Sequence, residues 1–170
     1  MVLNGVYGVA IGRLTGGQMI RGLYETFVYV NDFQRSRRFY EDLLGLSVGW
    51  LSEDRRIVLY WVGMPGHSML GVVERASEKV SPQHFSFEIA LDDMKEAASY
   101  LERRGIRGHN MIDKGPSPQV HGWMPAVSLY FEDPDGHLLE FIAMLPDKPR
   151  PDVGPMLWEE WIRIAVTTHS

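Results

Sequence analysis

The stretch "VSLYFEDPDGHLLEFIAM", residues 127–144, reads as two apolar strands folded back on each other across a Pro-Gly turn. Leu138, Leu139, Phe141 and Ile142 surround Glu140 in the second of them. Burying a carboxylate there costs on the order of several kcal/mol unless a cation or a hydrogen-bond donor compensates. The stretch therefore raises two linked matters: what sheet these strands belong to, and what meets Glu140.

Working outward, "HFSFEIA" upstream reads as a strand, "LDDMKEAASYLERRG" as a helix, and "IRGHNMI" as a further strand before the pair. The order is βαβββ, with the longest loop over "KGPSPQVHGWMP". The preceding half repeats it: "YETFVYV" is a strand and "NDFQRSRRFYEDLLG" a helix stopped by Gly45. Strands "LSVGWLS", "RIVLYWV" and "SMLGVVE" follow. Asp32 and Asp92, at the two helix starts, are 60 residues apart, and so are Gly45 and Gly105 at the two helix ends. Two copies of one unit account for that spacing. The fold class predicted is α+β. Tandem βαβββ modules, residues 23–78 and 84–145, form a curved mixed sheet around a cup, with helices on the convex side.

Side chains alternate across a strand. If the all-apolar sets cover the helices, Glu25, His84 and Glu140 look the other way, into the cup. Counting from the helix-ending glycines makes Glu74 the counterpart of Glu140, once the longer loop of the second copy is allowed for. Three carboxylates and an imidazole gathered in a partly apolar cup repel one another unless a divalent cation joins them. This donor set suits Mn2+, Fe2+, Ni2+ or Zn2+. Two readings stay open at the margins. Glu25 is a ligand, or a strand-end glutamate paired with Arg21; Glu74 is a ligand, or faces Arg75 or Lys79. Glu88, on the cup-facing set of its strand, is the candidate general base. Phe27 and Tyr29 are candidates to line the cavity, and His121 and Trp123 to contact substrate from its rim. Asp135 and His137 belong to the turn.

The duplication, the phrase "FYEDLLGL" and the closing "FEDPDGHLLEF" resemble the vicinal oxygen chelate superfamily. That group includes glyoxalase I, fosfomycin-resistance enzymes, extradiol dioxygenases and metal-free bleomycin-resistance proteins. The resemblance spans roughly residues 22–145. It implies a metal cup, often within a homodimer, with ligands at the positions of Glu25, His84 and Glu140, and a glyoxalase-type fourth carboxylate near Glu74. The departure is Glu25, where metal-binding members commonly carry histidine or glutamine. The expected function is a metal-dependent lyase, isomerase or transferase acting on a small oxygen-rich substrate. The alternative is a metal-free small-molecule-binding protein of the bleomycin-resistance type.

Composition bounds the rest. Of 170 residues, 45% are hydrophobic and 23% charged, which suits an ordinary globular chain. A formal net charge of -5 speaks against a nucleic-acid surface. With no cysteine there is no disulfide framework, which is compatible with a cytoplasmic location. No apolar run is long enough to span a membrane. Residues 1–22 read as an N-terminal arm. Residues 146–170 read as a Pro-rich linker and a helix that places Leu157, Trp158, Trp161, Ile162 and Ala165 on one face.

Overall fold

β-Branched and aromatic residues at alternating positions build the first strand, β1 (Glu25–Val30), whose Val28 and Val30 are buried while Glu25 is exposed. The computed structural model describes residues 19–75 and 79–167. Most of the predicted arm, the end of the first module at residues 76–78, and the Ala165 side chain lie outside the described residues. After β1, Asp32 caps helix α1 (Phe33–Arg37), accepting from Arg35 N at 2.9 Å. The helix runs on into a π-helical turn, Arg38–Leu43. Strands β2 (Ser47–Ser52), β3 (Ile57–Val62) and β4 (Ser68–Glu74) complete the first module. In the second, β5 (His84–Glu88) leads to two short helices, α2 (Leu91–Met94) and α3 (Ala97–Glu102). Strands β6 (Gln119–His121), β7 (Ala126–Glu132) and β8 (Leu138–Met144) follow. Gly45 and Gly105 take φ of +76° and +72°, a left-handed stop that glycine adopts without a Cβ penalty, so the 60-residue spacing has a backbone cause.

The modules share one topology. The first sheet runs β1-β4-β3-β2 and the second β5-β8-β7-β6, so the expected curved surface is divided between two mixed sheets. In each, the opening strand lies parallel to the closing one, Glu25 opposite Met69 and His84 opposite Leu138. The inward sets, including Val58, Tyr60, Leu70, Val72, Leu129, Phe131 and Leu139, join Phe33, Tyr40 and Leu101 in a core common to both modules.

Two expectations need correction. Residues 106–112 make a single bridge, His109 to Tyr130, and the strand at that place is β6, within the stretch read as loop. The cause is the fully buried Asn110, which accepts from Ile112 N and Asp113 N and donates to the Gly115 and Ser117 carbonyls, curling residues 110–117. The tail opens with a short strand, β9 (Met156–Leu157), paired to β6, before helix α4 (Trp158–Thr167). Trp161 is buried and donates from Nε1 to Asp147 at 2.8 Å, anchoring the tail on the body, whereas Ile162 is half exposed rather than on the docked face.

The turn quoted at the outset bolts the modules together. Asp133 accepts from Asp135 N, His137 N and the Tyr40 hydroxyl of the first module. Asp135, its side chain fully buried, accepts from Asn31 and from Arg35 at 2.7 Å. Burial alone pushes the Asp135 carboxyl up, but Asn31 and Arg35 outweigh it and hold it below its ordinary range. A carboxylate with a depressed folded value stabilises fully above its unfolded value, about 3.9, and loses that contribution as pH falls through the lower folded one. The stability gap between wild type and Asp135→Asn should therefore be full near about pH 6 and shrink toward about pH 3, read from urea midpoints.

Candidate functional site

Register decides which side chains share the open face of the second sheet. Ser86 pairs with Glu140, Glu140 with Tyr130, and His121 with Ala126 one step further across, so these residues lie on one side. His84, two positions before Ser86, joins them. Glu140 is 4% exposed, which puts a carboxylate in an almost closed setting and answers part of the question its neighbours raised.

Its partners are nearby. Ser86 Oγ donates to Glu140 Oε2 at 2.5 Å, and His84 Nε2 stands 3.3 Å from the same oxygen. His121 Nε2 is 3.9 Å from Oε1 and 3.0 Å from the Tyr130 hydroxyl. Burial first, then the charge of Glu140, pushes the Tyr130 phenol well up, so it remains a protonated donor. The tautomer of His84 follows from its other nitrogen. Nδ1 lies 2.9 Å from the Leu138 carbonyl, which only accepts, so Nδ1 carries the proton. In the neutral ring the Nε2 lone pair then faces a carboxylate, two acceptors with no proton between them. A second proton on the ring or a cation resolves that contact, and the ring is already in the orientation of a metal ligand whose other nitrogen is fixed by a carbonyl.

The first sheet is different in character. Phe27 pairs with Gly71, and a Cβ on Gly71 would lie 2.3 Å from the Phe27 ring. By register, Gly71 is the position that corresponds to Glu140, because Phe27 and Ser86 are each third in their strands. The equivalence drawn from Glu74 is thus three residues out. Glu74 pairs with Val30 on the helix-facing side and accepts from Phe33 N at 2.8 Å, capping α1, so it stands apart from the cup. Glu25 does lie on the open face of its sheet, in line with Phe27 and Tyr29, the latter under the Arg75 guanidinium at 3.7 Å. Among the described residues, however, no group of three or more His, Cys, Asp or Glu converges in one chain as a metal cluster. His84 and His121 each approach Glu140 pairwise, and Glu25 belongs to the other sheet.

Glu88 shares the cup-facing set but sits at the strand end, lining a cleft of about 460 Å³ between the modules with Asp93, Glu96 and Tyr100. Trp123 is largely exposed beyond β6. Sequence reading passed over Ser86, although its two-residue step from His84 was the available signal, and it gave Tyr130 no definite place. Tyr130 needed the β7–β8 register to be seen opposite Glu140.

Two mixed βαβββ sheets and an imidazole–carboxylate face define a class of protein. The sequence matches the Glyoxalase/Bleomycin resistance protein/Dioxygenase superfamily over residues 22–141, and the chain belongs to that superfamily. Among solved structures, it is 36% identical to integron cassette protein HFX_CASS4 from the mobile metagenome of the Halifax Harbour sewage outfall. That match covers 74% of this chain and all of the other, with a TM-score of 0.63. The fold is also that of a lactoylglutathione lyase from Agrobacterium tumefaciens, with 21% identity, 74% and 96% of the two chains covered and a TM-score of 0.57. The uncharacterized protein YraH of Bacillus subtilis (strain 168) is 26% identical over 132 residues, 72% of this chain and 98% of that one. Among the described residues no helix is long and apolar enough to cross a membrane.

Proposed function

We propose that this protein is a divalent-metal-dependent enzyme that acts on a small oxygen-rich molecule, with His84 and Glu140 as two ligands. Glu25 is the third, supplied from the first module of a second copy in a homodimer. The observation that supports this reading is the His84–Glu140 contact, with Nε2 standing 3.3 Å from a nearly buried carboxylate oxygen while Nδ1 faces the Leu138 carbonyl. A bound divalent ion would supply Lewis acidity, stabilising negative charge that develops on a substrate oxygen.

The chain's own residues do the remaining work. Ser86 fixes the Glu140 carboxylate by donating to Oε2. Tyr130 keeps a protonated hydroxyl beside it, and His121, within hydrogen-bond distance of that hydroxyl, takes or returns a proton at Nε2. His121 takes this role rather than Glu88, which opens into the inter-module cleft. Phe27 and Tyr29 give the cup an apolar wall that excludes water. Titration of purified protein with Mn2+, Ni2+ or Zn2+ should approach about one ion per chain. Failure of all three, and of Fe2+ under anaerobic conditions, to bind would remove the proposal.

One observation favours a second reading, a metal-free binding protein. The open face of the first sheet is apolar and aromatic, with Phe27 over Gly71 and Trp50 46% exposed. Tight metal-independent binding of a flat aromatic ligand, quenching tryptophan fluorescence, would support that reading instead.

A further inference from the structure

We propose that Arg107, His109 and Lys114 form an anion subsite beside the cup, which takes the carboxylate of a small 2-oxo or 2-hydroxy acid. The inference rests on the cup being the substrate site and adds the class of substrate. His109 exchanges both backbone hydrogen bonds with Tyr130, at 2.8 Å each, so its ring stands on the same face as Tyr130 and Glu140. The Tyr130 ring is a neighbour of both sites, 6.3 Å from His109 and 6.1 Å from His84. An open pocket of about 320 Å³ is lined by Arg107, His109, Lys114 and Glu132.

The cations there are available. Among the described residues no carboxylate pairs with Arg107 or Lys114, and the Lys114 ammonium meets only the weak acceptor Sδ of Met111 at 3.2 Å. The backbone at Lys114 is held at φ +62° within the loop that Asn110 organises. Charge selects the guest. Arg107 and Lys114 against Glu132 leave one net positive charge, which a monoanionic carboxylate balances and a phosphate dianion exceeds. The planar fork of Arg107 matches a carboxylate, and the adjoining cup would receive the neighbouring oxygen of the same molecule.

The test uses the full chain without added metal, with glycolate as the probe and amide resonances as the readout. Glycolate should shift the resonances around Arg107, His109 and Lys114. Arg107→Gln and Lys114→Gln, both at exposed positions, should each weaken it by about tenfold, and neutral glycolamide should fail to compete. Unchanged glycolate affinity in both variants, or equal binding of glycolamide, would overturn the subsite. Inorganic phosphate binding more tightly than glycolate would overturn the monoanion assignment. Because no metal is present, carboxylate binding that depends on Arg107 stands even if the cup holds no ion. Divalent ion uptake without such binding sinks this inference alone.

Discussion

Glu140→Gln should lose at least about 100-fold in divalent-ion affinity and, with it, turnover of any substrate that needs the ion. The substitution keeps shape and burial, and replaces an anionic oxygen with an amide that cannot offer two acceptor oxygens. With its charge gone, the 3.3 Å contact to His84 becomes an ordinary hydrogen bond from the new amide to Nε2, and the gathering of acceptors that calls for a cation disappears. Stability should hold or rise, because a nearly buried charge is replaced by a neutral group. Isothermal titration with Mn2+ alongside urea unfolding separates the two effects. Ser86→Ala, which removes only the donor that steadies Glu140, should cost less, about tenfold in affinity.

The second large effect is structural. His137→Ala should destabilise the fold by about 3 to 5 kcal/mol, among the larger values for single substitutions. The ring is fully buried. Its Nε2–H donates to the Tyr29 carbonyl of β1 at 2.8 Å, and Nδ1 accepts from Gln83 N at 3.0 Å, just ahead of β5. Truncation leaves a cavity and two orphaned backbone groups, one on β1 and one just ahead of β5. Because the same ring ties β1 to the head of β5, the strands that carry Glu25 and His84 should lose their mutual placement as well. A lowered urea midpoint with unchanged slope measures the loss.

The two tandem units were legible because their punctuation is local. Left-handed glycines at the helix ends and the alternation of side chains across the opening strands act over a few residues and appear in both units, whereas the capping aspartate appears once, at Asp32, since α2 is entered at Ala90 with no side-chain cap. His84 and Glu140 were placed together for the same reason, since alternation within a strand fixes a face. Glu74 was misplaced because counting from a helix end carries no information on register. Only the parallel pairing of β1 with β4 shows that Gly71, not Glu74, stands where Glu140 does in the other module. The strand at residues 119–121 was missed because Asn110, nine residues before its start, curls the chain through side-chain bonds that leave no periodic trace. Glu25 shows a further limit. Its face was readable, but which copy's sheet it completes is a matter of assembly.

Mixing two variants tests that assembly most directly. If a cup draws Glu25 from one copy and His84 with Glu140 from another, neither Glu25→Ala nor Glu140→Ala protein should hold a metal ion alone. Subunits exchanged between them should recover about one quarter of the wild-type content per chain, since random pairing makes half the dimers mixed and each mixed dimer restores one of two cups. No recovery in subunit-exchanged mixtures, from a wild type that binds the ion, would contradict a shared cup.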